Sequence, residues 1–189
     1  MMYNIHGDNM IRPMTMQELK QIYVEHMMND FPDDERKPLS VIQSRYKKKE
    51  NICICYLEDG LMKGYSILES CEKNKSLLMD YFAVYPEHRN QGTGTRFLQE
   101  MKEYFQYWDA LLIESETAIT DQAKQRIKFY QKSGAEISGV RVHLYHVDYE
   151  ILCLSLHRRI YHEEIKEIMV QIYDKIYPKP FQKFYLKWI

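Results

Sequence analysis

No run in this sequence approaches the roughly 18 consecutive apolar residues of a membrane span. Met1 to Met10 also lacks the basic start and apolar core of a secretory leader. Neither a spanning helix nor a cleaved leader is expected, and the chain reads as cytoplasmic. An excess of charge is missing too: 26 basic residues face 27 acidic ones, for a net charge of −1. That balance calls for neither nucleic acid nor an anionic membrane, so charged recognition has to be local. Cysteine is scarce, with four in 189 residues. Cys53 and Cys55 sit two apart on one face of an expected strand, a poor geometry for a disulfide between them. Cys53-Ile54-Cys55 is one residue short of Cys-x-x-Cys, and Cys71 and Cys153 have no histidine at zinc-finger spacing. Buried free thiols and no metal site are expected. Internal repeats and low-complexity tracts are likewise absent.

What is present suffices for one core, since 45% of the residues are hydrophobic at a length that suits a single domain. Ile11 to Met14 reads as a short strand. Thr15, with Glu18 three residues on, forms a capping box that starts a helix with Met16, Leu19, Ile22, Tyr23 and Met27 on its apolar face. That helix is expected to end before Phe31-Pro32. Asp30 to Pro38 is acidic and broken by two prolines, and it leads into a loop with a short helix. Strands are predicted over Ile52–Leu57 and Leu61–Leu68, joined by a tight turn at Asp59-Gly60, and over Leu77–Val84, which gives an antiparallel meander. A helical stripe from Phe97 to Trp108 and a strand at Ala110–Ile113 complete a crossover. A second helix runs from Asp121 to Lys132 and stops at Ser133-Gly134. Strand runs at Ala135–Ile137 and Val142–Leu154 follow. The apolar face of Ile165, Ile168, Met169, Ile172, Tyr173 and Ile176 predicts a helix over Ile160–Tyr177, stopped by Pro178 and Pro180. The aromatic tail Phe181–Ile189 is expected to be ordered, on its own domain or on a second subunit.

The chemistry is concentrated between Leu77 and Met101. An apolar strand runs into Tyr85-Pro86-Glu87-His88-Arg89-Asn90-Gln91-Gly92-Thr93-Gly94-Thr95 and then into a helix. Small residues at a helix start let backbone N–H groups approach an anion, and the helix end adds about half a positive charge, so phosphate is the natural guest. No Gly-Lys-Ser/Thr is present, which excludes a Walker loop, and Phe97 stands where a Rossmann fingerprint needs its third small residue. What remains is Arg89-x-x-Gly92-x-Gly94.

That pattern resembles the pyrophosphate loop of the GNAT acetyltransferase superfamily, Gln/Arg-x-x-Gly-x-Gly/Ala. Phe82-Ala83-Val84-Tyr85-Pro86 matches the strand end upstream of that loop, and Phe129-Tyr130-Gln131-Lys132-Ser133-Gly134 looks like the Phe/Leu-Tyr-x-x-x-Gly signature of the fourth helix. The resemblance spans roughly Asn9 to Leu154. It implies an α/β (mixed α+β) acyl-CoA N-acyltransferase fold, with a central, mostly antiparallel mixed sheet flanked by helices. This domain would occupy residues 1–158, and residues 159–189 would add a C-terminal helix and tail on the domain or on a partner subunit of a homodimer. Acetyl-CoA is the implied co-substrate, with Phe82, Ala83 and Val84 on its pantetheine arm and Arg89, Asn90, Gln91, Gly92, Thr93, Gly94 and Thr95 around its pyrophosphate. The implied activity is transfer of acetyl to a primary amine of a small molecule or peptide. A non-catalytic acyl-CoA-binding module is the alternative.

Transfer from a thioester requires loss of the ammonium proton, stabilisation of an oxyanion and protonation of the sulfur. The resemblance gives the sulfur to Tyr130, whose other reading is a core aromatic, and the oxyanion to a main-chain N–H near Val84. Glu35 and Asp80 are the candidate bases. The family commonly walls its acceptor site with the segment that is Asp30 to Pro38 here, and Asp30, Asp33, Asp34 and Glu35 would suit a cationic amine. Ala123 stands where many members have an asparagine on the cofactor, Gly134-Ala135 replaces Gly-Phe, and Arg126 reads as a surface ion pair or a cofactor contact.

Overall fold

The computed structural model describes residues 9–33, 35–144 and 146–189. The chain divides into two compact units, Met1–Leu68 with Tyr81–Tyr104, and Glu69–Asp80 with Phe105–Ile189.

In the first unit β1 (Asn9–Pro13) runs antiparallel to β2 (Asn51–Glu58), in register from Asn9↔Glu58 to Pro13↔Ile54. The capping box forms as expected: Thr15 Oγ1 accepts from Glu18 N at 3.1 Å, and Glu18 Oε2 accepts from Thr15 N at 2.8 Å. It opens α1 (Met16–Ile22), which continues through a π turn (Tyr23–Met27) into α2 (Met28–Asp30). The π turn has a packing consequence. It carries the buried stripe from Ile22 to Met27, five residues on, whereas the neighbouring Val24 and Glu25 are exposed. With Ile42 of α3 (Leu39–Lys47), this face packs on Cys53, Cys55, Tyr65, Ile67, Tyr81, Ala83 and Tyr85.

Asp59 and Gly60, both at positive φ, form the predicted two-residue turn into β3 (Leu61–Cys71), and β4 (Ser76–Val84) follows a 3₁₀ turn. Beyond β4, α4 (Thr93–Tyr104) buries Phe97, Leu98 and Met101. Phe97 stacks on Tyr56 and on Phe82, each with ring centroids 4.8 Å apart. Gly64 permits this approach, because a Cβ there would lie 2.6 Å from the Ala83 carbonyl and 3.4 Å from the Phe97 ring. The helix ends at Tyr104, so Trp108 falls outside the predicted stripe, in a turn whose N–H bonds Phe105 O.

In the second unit the Ser76–Met79 part of β4 runs parallel to β5 (Ala110–Glu116). β5 is antiparallel to β7 (Val147–Ser155), which is antiparallel to β6 (Glu136–Leu144). The single run expected from Val142 to Leu154 is therefore two strands of a hairpin. α5 (Asp121–Lys132) has the predicted bounds, capped by Thr120, whose Oγ1 accepts from Ala123 N at 3.1 Å. α6 (His162–Ile176) lays Ile165, Ile168, Met169, Ile172 and Tyr173 on Leu112, Val142, Ile151 and Cys153. Pro178 ends α6 and also precedes α7 (Lys179–Tyr185), after which β8 (Leu186–Trp188) pairs antiparallel with β6. The tail thus adds a strand to its own chain.

Among the described residues the strand order is β1-β2-β3-β4-β5-β7-β6-β8, a mixed sheet with one parallel pair at β4–β5. All four cysteines are free and buried, and desolvation pushes the Cys55 thiol up to about 12 and that of Cys153 up to about 11, so both are held as unreactive thiols. No helix among the described residues is long and apolar enough to cross a membrane.

Candidate functional site

The glycine loop is built as a strand-to-helix turn with a left-handed backbone at two points. Past Val84 the chain makes a 3₁₀ turn (Pro86–His88), enters positive φ at Asn90 (60°) and again at Gly92 (77°), and begins α4 at Thr93. Left-handed residues interleaved with right-handed ones make the concave rows of N–H groups that hold anions. A helix N-terminus adds N–H groups with no partner inside the helix and a positive partial charge. Glycine suits position 92 because its φ disfavours any side chain; a Cβ there would also press on the Arg96 guanidinium, 3.0 Å from Nη1, which would have to shift by a few tenths of an ångström. Asn90, Gln91, Gly92 and Thr95 are exposed, whereas Thr93 is buried.

Sequence reasoning missed Arg96, which ties this loop together. Its guanidinium donates to Gln91 O at 3.0 Å, to Thr93 Oγ1 at 3.3 Å and to both carboxylate oxygens of Glu58 at 2.5 and 3.1 Å. Lys63 Nζ adds a 2.8 Å bond to Glu58, and the hydrogen bond from Arg96 is the main cause that holds the Glu58 carboxyl down at about 2. The one available signal was a cation in the first turn of a helix, where the dipole favours anions.

Arg89 turns away from the loop it introduces. Its Nε donates to Val84 O at 2.8 Å, and its Nη2 pairs with Asp30 Oδ1 at 2.5 Å. The other oxygen of Asp30 accepts from the buried Tyr65 hydroxyl at 2.8 Å, and the Asp30 side chain is only 6% exposed. Within this unit the loop and the acidic segment are therefore joined through one buried carboxylate.

The segment itself is laced down. Tyr81 Oη accepts from Lys37 N at 2.9 Å and donates to Glu35 O at 3.1 Å, while Tyr23 Oη donates to Lys37 O at 3.1 Å. Arg36 is turned inward, bonded to Phe31 O at 2.8 Å and paired with Asp33. With Asp30 on Arg89 and Asp33 on Arg36, the segment has less uncompensated negative charge than its count of acids implies. Glu35 is exposed, and Asp34 lies outside the described residues. An open cleft of about 270 Å³ in the same unit is lined by Glu18, Gln21, Ile22, Glu25, His26, Met62 and Tyr85, with His26 stacked on Tyr85 at 3.8 Å. None of the predicted site residues lines it.

Phe82, Ala83 and Val84 end β4 in the first unit. Asp80 and Tyr130 belong to the second. Asp80 is half-buried in β4. Tyr130 is buried on α5, and desolvation pushes its phenol up to about 12, so it stays protonated at neutral pH. Arg126 forms the surface ion pair, 3.0 Å from Glu116.

Residues 48–134 match the family model of the acetyltransferase (GNAT) domain. The fold is similar to that of a Bacteroides thetaiotaomicron protein described as a GNAT-family acetyltransferase, with a TM-score of 0.70 and 19% identity over 89% of this chain and 98% of that one. It is also similar to the ribosomal-protein-S18-alanine N-acetyltransferase of Escherichia coli (TM-score 0.62, 17% identity, 80% of this chain and 96% of that one). A third similar structure is the dodecameric spermidine N-acetyltransferase of Vibrio cholerae (TM-score 0.60, 12% identity, 79% and 94%). A comparison with curated protein sequences gives no match.

Proposed function

We propose that this chain, which carries a GNAT acetyltransferase domain over residues 48–134, moves the acetyl group of acetyl-CoA directly onto a primary amine. The observation that carries the reading is the loop at Gln91–Thr95, where left-handed Asn90 and Gly92, the start of α4 and the Arg96 brace make a cradle suited to a diphosphate. A neutral donor such as a plain peptide would gain little from that charge and N–H arrangement.

Gln91 to Thr95 would hold the pyrophosphate of CoA. Arg89 already engages Val84 O, so pantetheine recognition falls to the remaining main-chain groups of Phe82, Ala83 and Val84. The amine nitrogen attacks the thioester carbon, the C–N bond forms, the C–S bond breaks, and the sulfur leaves as a thiolate. A main-chain N–H near Val84 serves the oxyanion. Tyr130, held protonated by its burial, supplies the hydrogen bond and proton to the sulfur. The amine's own proton goes to a carboxylate, for which Asp80 and Glu35 are the two assigned candidates.

The solved proteins of this fold include enzymes for a protein N-terminal alanine and for a polyamine, so a peptide amine and a small polyamine both belong in a substrate panel. The arginine pairing of Asp30 and Asp33 weakens the case for the 30–38 segment as an electrostatic lure for cations. The test is release of free thiol from acetyl-CoA with that panel, alongside calorimetric binding of CoA. Binding with thiol release supports the enzyme, binding without release with any amine favours the non-catalytic module, and no binding refutes both.

A further inference from the structure

The cleft beside α1 has no part in the chemistry assigned above. Gln21, Ile22, Glu25 and His26, at helical spacing along α1 and its π turn, line one side of it, and Met62 of β3 and Tyr85 line the other. All of these residues belong to the first unit. At about 270 Å³ the cleft lies at the small end of ligand sites, so it suits a molecule of a few carbons rather than a nucleotide. Glu25 and His26 stand in the π turn itself, an irregularity that interrupts the α-helical hydrogen-bond ladder and recurs at functional sites.

The walls combine an apolar base with acceptor groups. Ile22 is 3% exposed and Tyr85 8%, and the half-buried Met62 packs on the same core. His26 lies flat against Tyr85, with the ring planes 10° apart. Glu25 Oε2 accepts from Gln21 Nε2 at 3.0 Å; a carboxylate only accepts, so the amide N–H group faces Glu25 and the amide oxygen keeps its lone pairs for another donor. Tyr85 likewise donates its O–H to Met62 Sδ at 3.1 Å. Burial first, and then nearby negative charge that includes Glu25, holds the Tyr85 phenol above its ordinary range, so it stays protonated. No lysine or arginine lines the cleft. Glu18 is offset by Arg12 at 2.5 Å, whereas Glu25 is exposed and in no ion pair among the described residues.

We infer that this cleft binds a small organic cation, a primary ammonium on a short alkyl chain, with the chain against Ile22 and Met62 and the nitrogen at Glu25 and the Gln21 amide oxygen. An ammonium brings three N–H donors and no acceptor, the complement of a site whose Gln21 and Tyr85 donors are turned onto Glu25 and Met62. An anion would meet carboxylates with no cation to receive it. A neutral alcohol of the same length would keep the apolar contact and lose the attraction of Glu25. None of these residues belongs to the glycine loop, so the site stands or falls independently of acetyl transfer.

The experiment uses the full chain without acetyl-CoA, so that no amine is consumed, and titrates n-butylammonium against uncharged 1-butanol. Calorimetry reads the affinity, and methionine-methyl NMR reads the place, with the Met62 signal identified by its loss in Met62→Leu. The wild type is expected to bind n-butylammonium saturably and more weakly as salt is raised, and the Met62 methyl to shift along the same isotherm. 1-Butanol should bind at least about 5-fold more weakly, and Glu25→Gln should weaken the ammonium by about the same factor. Gln21→Lys sets an ammonium of the chain's own beside Glu25 and should abolish binding. Both positions are exposed, so both variants should keep the wild-type melting temperature. The site is overturned by absence of saturable binding in the wild type, by equal affinity for 1-butanol, by a Met62 signal that does not move, or by unchanged affinity in either variant. Failure of acetyl transfer with every amine would leave it standing.

Discussion

Removing the carboxylate of Asp30 gives the sharpest test of how the glycine loop is held. The side chain is 6% exposed, accepts from Tyr65 Oη at 2.8 Å and pairs with Arg89 at 2.5 Å. Asp30→Ala leaves the Tyr65 hydroxyl buried without an acceptor, a loss of about 1–3 kcal/mol. The Arg89 contact adds about 1 kcal/mol, because the guanidinium is half-exposed and water screens it. The expected destabilisation is about 2–4 kcal/mol, which in a chain of this length lowers Tm by about 5–15 °C. Asp30→Asn keeps an acceptor for Tyr65 and should fall well short of that. Tyr65→Phe removes the orphan itself, so the double variant Asp30→Ala/Tyr65→Phe should lose about 1–2 kcal/mol less than the sum of the singles. Urea denaturation of the four proteins measures the cycle. Additive singles, or an Asp30→Ala variant within about 0.5 kcal/mol of wild type, would refute the buried-carboxylate account.

Three further outcomes bear on the site. Gly92→Val places a β-branched side chain at φ 77° and 3.0 Å from Arg96 Nη1, so CoA binding should be lost in calorimetry while the fold melts cooperatively; unchanged affinity removes the loop from the assignment. Tyr130→Phe keeps the buried ring and CoA affinity but should slow turnover about 10²- to 10⁴-fold where chemistry is rate-limiting, and full kcat would make Tyr130 a packing residue. Glu58, held at about 2 in the folded state against 4.5 unperturbed, contributes stability that is full above pH 4.5 and is lost as pH falls toward 2. Glu58→Gln should therefore flatten that part of the acid-unfolding curve and loosen the loop through Arg96, and an identical acid slope would show that the pair contributes nothing.

Local codes in the chain determined a good deal by themselves. The Thr15/Glu18 capping box, the Asp59-Gly60 turn, the bounds of α5 and the strand–glycine loop–helix order each depend on residues within a few positions of one another. Short-range propensity and capping therefore carry them. The hairpin break within Val142–Leu154 was illegible because no Gly, Pro, Asn or Asp-Gly marks the turn between Leu144 and Val147, so only the pairing of β6 with β7 separates the two strands. The π turn at Tyr23–Met27 was equally hidden, since its reward is the burial of Met27 against strands elsewhere in the chain. The strand formed by the tail appears only once β6 is there to pair with it.

Charge was the least legible feature of all. The sequence counts four acids in the 30–38 region, but pairing decides their effect, and the partners of Asp30 lie 35 and 59 residues away at Tyr65 and Arg89. The same holds for Arg96 of α4 and Glu58 of β2, which are 38 residues apart in the chain. Coulombic and hydrogen-bonding energies depend on distance in space, and a linear pattern does not encode that distance until the backbone has closed. The sequence by itself determined where the glycine loop begins, and tertiary contact decided which side chains hold it in shape.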